Sequence, residues 1–148
     1  MNYHIYIRFL EWVPVFTKCV KYIIIMLYMP EGVNVMKISE VMKILDARLI
    51  CGEEHLDVDV KTACSSDMMS DVLAFSKEHT VLLTGLINPQ VLRTADMLDI
   101  RCVVFVRGKQ PSDELIELAG EYDITLLSTK MTLYIASGTL YNSGLMAG

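Results

Sequence analysis

The chain has 148 residues, 53% of them hydrophobic and 21% charged, and its 13 Lys and Arg against 18 Asp and Glu leave a formal charge of −5. A chain of this length folds around a core large enough to need neither disulfides nor a structural metal, and its apolar content excludes disorder. The acidic balance excludes a general nucleic-acid binder, which needs clustered Lys and Arg to neutralise phosphates.

In chain order, residues 1–35 stand apart. They hold seven aromatics (Tyr3, Tyr6, Phe9, Trp12, Phe16, Tyr22 and Tyr28) and 3 basic against 2 acidic residues, a net of +1, whereas residues 36–148 carry 10 against 16, a net of −6. Lys18 and Lys21 interrupt the apolar stretch, and its longest run, Tyr22 to Met29, is far shorter than the roughly 20 residues of a membrane span. A signal peptide fits poorly too, because the basic pair sits inside the apolar segment instead of before it. Residues 1–35 are therefore expected to be an extension to a domain of residues 36–148, and no membrane partner is expected. Three readings of the extension stay open: a gene start placed too far upstream, with Met36 as the natural first residue; a membrane-surface or partner-binding arm; and an extra packed element.

Beyond it, Ile38, Val41, Met42 and Leu45 recur at i, i+3, i+4 and i+7, which predicts a short helix from Ser39 to about Leu45 with Ser39 as its N-cap. Ala47 to Cys51 reads as a strand. Gly52-Glu53-Glu54-His55 is a polar turn, and the alternation of Leu56, Val58 and Val60 with Asp57, Asp59 and Lys61 predicts a strand leading into Thr62-Ala63-Cys64. Ser66 or Asp67 is placed to cap a helix reaching about Lys77, and Val81-Leu82-Leu83 is a short strand apolar on both faces. Asn88 then caps a helix with Pro89 at its first position and Val91, Leu92, Ala95 and Leu98 inward. Cys102 to Val106 is the clearest central strand, followed by a helix from about Ser112 to Ala119 that Gly120 ends. Thr125-Leu126-Leu127 is the last strand, and a helix beginning near Ser128 or Thr129, with Leu133, Ala136 and Leu140 inside, closes the domain. Strands alternating with short helices predict the α/β class: a three-layer α/β/α fold with a small, mainly parallel sheet of about five strands.

In such sheets ligands sit outside the carboxyl ends of the strands. The residues collected there are Ser65, Ser66 and Asp67; Thr84, Gly85 and Asn88; Arg107, Gly108 and Lys109; and Ser128 and Thr129. Hydroxyls, glycines, helix N-termini and basic side chains at one edge point to a small anion, although capping alone accounts for Ser66, Asn88 and Ser128 or Thr129. No G-x-x-x-x-G-K-[ST] and no G-x-G-x-x-G follows a strand, which removes the usual phosphate-binding and dinucleotide fingerprints. Cys51, Glu53, Glu54, His55, Asp57 and Asp59 read as a solvated acidic turn at a hairpin tip, with no metal expected. Cys19, Cys51, Cys64 and Cys102 form no C-x-x-C pair and read as reduced, mostly buried thiols in a cytoplasmic protein. Cys64-Ser65-Ser66 is the one nucleophile candidate. With no histidine paired to it by motif, neither a catalytic constellation nor a cofactor is expected.

The segments Lys61 to Phe75, Leu82 to Val91, Ala95 to Ile100 and Val104 to Lys109 resemble the DRTGG domain family, over a match from Met36 to about Leu145. DRTGG domains occur alone, within some phosphotransacetylases and beside CBS domains in regulated inorganic pyrophosphatases, and the N-terminal domain of HPr kinase looks similar in fold. The resemblance implies a small α/β/α module used for regulation or dimer contacts. The eponymous glycine pair is not intact, since Leu86 follows Thr84-Gly85, which weakens the case for close backbone approach of a ligand at that turn.

The leading expectation is a non-catalytic cytoplasmic module that senses a small anionic metabolite or nucleotide and dimerises, the homodimer following from ten methionines and a high apolar fraction. A structural domain for an unknown partner protein is the alternative, followed by an uncharacterised enzyme acting on a phosphorylated small molecule.

Overall fold

Two runs of fully buried residues, Val81 to Leu83 and Cys102 to Val106, mark strands covered on both faces, and the architecture is built around them. The computed structural model describes residues 35–147. The aromatic-rich extension, with Cys19, therefore lies outside the described residues, except for its last position.

The elements are β1 (Met36–Lys37), α1 (Ile38–Ile44), β2 (Arg48–Cys51), a 3-10 turn (Glu53–His55), β3 (Asp59–Val60), β4 (Thr62–Ser65), α2 (Met69–Phe75), β5 (Thr80–Thr84), α3 (Pro89–Met97), β6 (Cys102–Phe105), α4 (Asp113–Glu121), β7 (Thr125–Ser128), α5 (Leu133–Asn142) and β8 (Met146–Ala147). Six strands form one sheet in the order β2-β7-β6-β5-β4-β8, and β1 pairs with β3 in a separate ladder. Every pairing in the main sheet is parallel except β2 with β7.

Alternate strand residues face opposite layers. Val81, Leu83, Val104 and Leu127 pack with Ile38, Val41 and Leu45 of the α1 segment and with Ala136 and Leu140 of α5. Leu82, Val103, Phe105 and Leu126 pack with Val72 of α2, Val91, Leu92 and Ala95 of α3, and Leu115 and Ala119 of α4. The fold is three-layer α/β/α, as the alternation of elements requires.

Several local expectations are corrected. The sheet has six strands instead of about five, because β8 is too short to leave a periodic signal. The alternating Leu56, Val58 and Val60 do not form one strand: only Asp59–Val60 pairs, with Met36–Lys37. The carbonyls of Val58 and Leu56 instead accept the Ile38 and Ser39 N–H groups at 3.0 and 2.9 Å, so the start of α1 is capped by a neighbouring loop and not by the Ser39 side chain. Gly52–His55 is not a hairpin tip, since β2 pairs with β7 across the fold. Asn88 does cap α3, its Oδ1 accepting the Val91 N–H at 3.2 Å, and Pro89 does take the first helical position.

The ends of helices differ most. Gly120 lies inside α4. Reversal comes at Asp123, with φ 54°, and the same left-handed position follows α1 at Asp46, α3 at Asp99 and α5 at Gly144. In each case the next N–H reaches back five residues: Ala47 to Met42, Ile100 to Ala95, Ile124 to Ala119 and Leu145 to Leu140, at 2.8–3.1 Å. This is the Schellman closure, with aspartate in three of the four positions that glycine usually fills. At the last helix, Thr132 and not Ser128 or Thr129 is the cap, its Oγ1 accepting the Ile135 N–H at 3.4 Å.

Candidate functional site

Because β4 to β7 are parallel neighbours, their carboxyl ends share one edge. The connection after β6 leads to α4 on one face and the connection after β7 leads to α5 on the other. Strand ends whose connections part in this way are the usual seat of a ligand in an open α/β sheet.

The loop after β6 is the most constrained backbone at this edge. Arg107 and Gly108 are both left-handed, with φ 63° and 65°. A side chain at Arg107 in this conformation costs about 1–2 kcal/mol, and the turn is held by Arg107 N–H donating to the Met131 carbonyl and Gly108 N–H donating to the Thr129 carbonyl, each at 2.8 Å. The reversal sends the basic side chains on either side of Gly108 back across the ends of β5 and β4.

What they meet there is a carboxylate. Asp67 Oδ1 accepts the Gly85 N–H at 2.6 Å and the Thr84 hydroxyl at 2.9 Å, while Oδ2 faces Arg107 Nη2 at 3.5 Å. Lys109 Nζ donates to the Gly85 carbonyl, and the Leu86 N–H donates to Thr84 Oγ1 at 3.1 Å. Partial burial works to raise the Asp67 pKa, but the Gly85 N–H, the Thr84 hydroxyl and the charges of Arg107 and Lys109 outweigh it and hold the group below the usual 3.8. A side chain at position 85 would collide with the Arg107 guanidinium, so glycine there is what lets the cation reach Asp67.

Asp67, Thr84, Gly85, Arg107 and Lys109 are thus brought together, and the other candidates are placed differently. Ser66 Oγ accepts the Met68 N–H at 3.0 Å, a local turn beside α2. Ser65 Oγ faces Ser137 Oγ at 2.7 Å, toward α5. Asn88 is engaged as a helix cap. Gly108 makes the left-handed turn. Ser128 Oγ donates to the Lys109 carbonyl at 2.8 Å, and Thr129, 1% exposed, donates to the Leu45 carbonyl at 2.7 Å, which turns its hydroxyl away from the edge.

Two residues absent from the sequence-based set complete the edge. Gln110 donates to Ser128 Oγ at 3.3 Å and accepts from Arg48, so these side chains link the ends of β2, β6 and β7. Gln110 follows Lys109 directly and could have been included on that ground. Arg48 carries no such signal, since only the antiparallel pairing of β2 with β7 sets it opposite Ser128. Burial pushes the pKa of Cys102 far up and raises that of Cys51, which disfavours their nucleophilic forms.

Among the described residues, no helix is long and apolar enough to cross a membrane. No protein-family model matches the chain, and no curated protein matches it. Among solved structures it is similar to the CBS and DRTGG domains of the regulatory region of Clostridium perfringens pyrophosphatase, determined in complex with the activator diadenosine tetraphosphate, at 23% identity and a TM-score of 0.57. The match covers 70% of this chain and 45% of that one. The likeness is one of fold, and it agrees with the resemblance carried by Lys61 to Phe75 and Leu82 to Val91: the described residues have a DRTGG-like α/β/α architecture.

Proposed function

We propose that this domain is a non-catalytic cytoplasmic regulatory module that senses a small anionic metabolite or nucleotide at the carboxyl edge of its sheet and works as a homodimer. The observation that carries the proposal is the convergence of one backbone N–H, one hydroxyl and two cations, from Gly85, Thr84, Arg107 and Lys109, around the carboxylate of Asp67. A cradle that holds a carboxylate has the donors and the charge to hold a phosphate. Two cations against one carboxylate leave positive charge over. The complex of the similar pyrophosphatase region with diadenosine tetraphosphate supports the ligand class.

A second reading, a structural interaction domain with no ligand, is favoured by Asp67 itself, which already engages the cradle, and by the Arg48, Gln110 and Ser128 contacts that link the strand ends beside it.

Thermal and chemical melts of the full chain with nucleotides, diadenosine polyphosphates and acyl phosphates decide between them. A ligand at 100 times its dissociation constant stabilises the fold by about 2.7 kcal/mol. The shift is expected in the wild type, with affinity about tenfold or more weaker in a Thr84→Val, Lys109→Ala double variant, which removes one hydroxyl and one charge. If no compound shifts the wild type, or if the variant shifts equally, the interaction-domain reading takes its place.

A further inference from the structure

A surface helix normally keeps one polar face, and α5 does not. Its inner residues Ala136 and Leu140 are fully buried, yet on the other side Tyr134 is 89%, Ile135 53% and Tyr141 49% exposed. Residues Leu133–Asn142 include no charged side chain, whereas α1, α2, α3 and α4 each carry at least one. An outer face that is uncharged and carries large hydrophobic and aromatic side chains is found where that side is covered too. Its polar groups are neutral: Ser137 and Thr139 donate to their own helix's Leu133 and Ile135 carbonyls at 2.6 and 2.8 Å, and the exposed Tyr134, Tyr141 and Asn142 add two phenol hydroxyls and one amide. Beside it runs a groove of about 620 Å³, floored by β4 and the edge strand β8. Among the described residues β8 pairs only with β4, as an edge strand.

We infer that the α5 face is the surface on which a second copy of this chain docks, about a two-fold axis that crosses α5. The inference rests on the homodimer in the function proposed above and names its face. Charge is the first reason for a second copy over a different protein. A two-fold interface sets residues near the axis against their own copies, so any charge there meets its like. A neutral face avoids that repulsion, and on a chain of net charge −5 it is the face on which two copies approach at least cost. A partner of opposite charge would find nothing on α5 to recognise. Shape is the second reason. Tyr134 and Gly138 are one helical turn apart on the same side; Tyr134 projects, and apart from the helix's own backbone and adjacent residues nothing lies within 4 Å of where a Cβ on Gly138 would stand. Two α5 helices crossing antiparallel set each tyrosine over the other copy's glycine, and knob and hole lie on one surface, as self-pairing requires.

A rival apolar patch on the opposite layer, with Phe75 67% and Met97 74% exposed, lies on helices that also carry Asp71, Arg93 and Asp96, so it provides the control. Sedimentation equilibrium on the full chain is expected to give a dimer at tens of micromolar. Gly138→Glu places two like charges at the axis and is expected to weaken the dimer on the order of a hundredfold. It keeps a cooperative melt, because the position is open and glutamate is the better helix former. Tyr134→Glu, at an exposed site that the protomer's own packing does not use, is expected to do the same. Phe75→Glu leaves the mass unchanged. A dimer that survives both α5 variants, or one that Phe75→Glu dissociates, overturns the assignment of the face while homodimerisation stands. A wild-type monomer overturns both, and the ligand melts described above still test the sensing role separately.

Discussion

Asp67 shows how a residue identified from its position acquires its chemistry from its neighbours. Its place after β4 was legible, and so was the gathering of Thr84, Gly85, Arg107 and Lys109 at the same edge. That the carboxylate itself would engage the Gly85 N–H and the Thr84 hydroxyl was not, because those groups come together across 17 and 18 residues of chain. The consequence is a pH dependence of known sign. A carboxylate whose folded pKa is depressed contributes stability that is complete above its unfolded value and is lost as pH falls through the folded one. Asp67→Asn keeps the shape and removes the charge. It is expected to destabilise by about 1 kcal/mol near neutral pH, a modest figure because this side chain is 47% exposed to screening solvent. Urea unfolding of the wild type and variant should show that difference shrinking as pH drops below 3.8, the usual value for the group. An equal difference at neutral and acid pH would show that the charge contributes nothing.

At the scale of elements, interiors and the start of α3 were legible, whereas the starts of α1 and α5 and the helix stops were not. Asn88-Pro89 states its helix start locally, through a side chain that reaches the Val91 N–H and a ring already set for the first turn. The start of α1 is stated locally only in part, by the Glu40 carboxylate that accepts the Lys37 N–H at 2.8 Å, because the Ile38 and Ser39 N–H groups go to the Val58 and Leu56 carbonyls of a loop later in the chain. Gly120 misled for a related reason. This chain closes its helices on Asp46, Asp99 and Asp123 in left-handed conformations, followed by Ala47 and the buried Ile100 and Ile124, so the apolar contact after the turn settles the stop more than the glycine does. Gly120→Ala separates the two cases by sign. Inside a helix with nothing within 4 Å of the new Cβ, alanine is expected to stabilise by about 0.5–1 kcal/mol. At a left-handed terminator it would destabilise by more than that, and denaturant midpoints read the sign directly.

For the whole molecule, the described elements begin at Met36, whose pairing with Val60 opens the small β1–β3 ladder. Among the described residues, both apolar layers flanking the sheet are built from Met36 onward. A chain shortened to begin at Met36 is therefore expected to unfold in one cooperative transition, at a midpoint within a few degrees of that of the full chain. Loss of cooperativity on shortening would show that residues 1–35 complete the core.

The fold class was determined by local sequence, since Val81-Leu82-Leu83 and Cys102 to Val106 can be satisfied only as strands covered on both faces, and the capped helices between them supply the cover. The same logic determined which edge carries the glycines, hydroxyls and basic residues, because parallel strands carry all their carboxyl ends to one side. Tertiary structure alone decided the rest. It set Arg48 beside Ser128 through an antiparallel edge strand, turned Thr129 inward to the Leu45 carbonyl, and brought Asp67 to the Thr84 and Gly85 donors and the Arg107 cation. The reason is physical: periodicity records which side of an element is dry, whereas the partner of a polar group depends on loop closure and strand order, which no local pattern encodes.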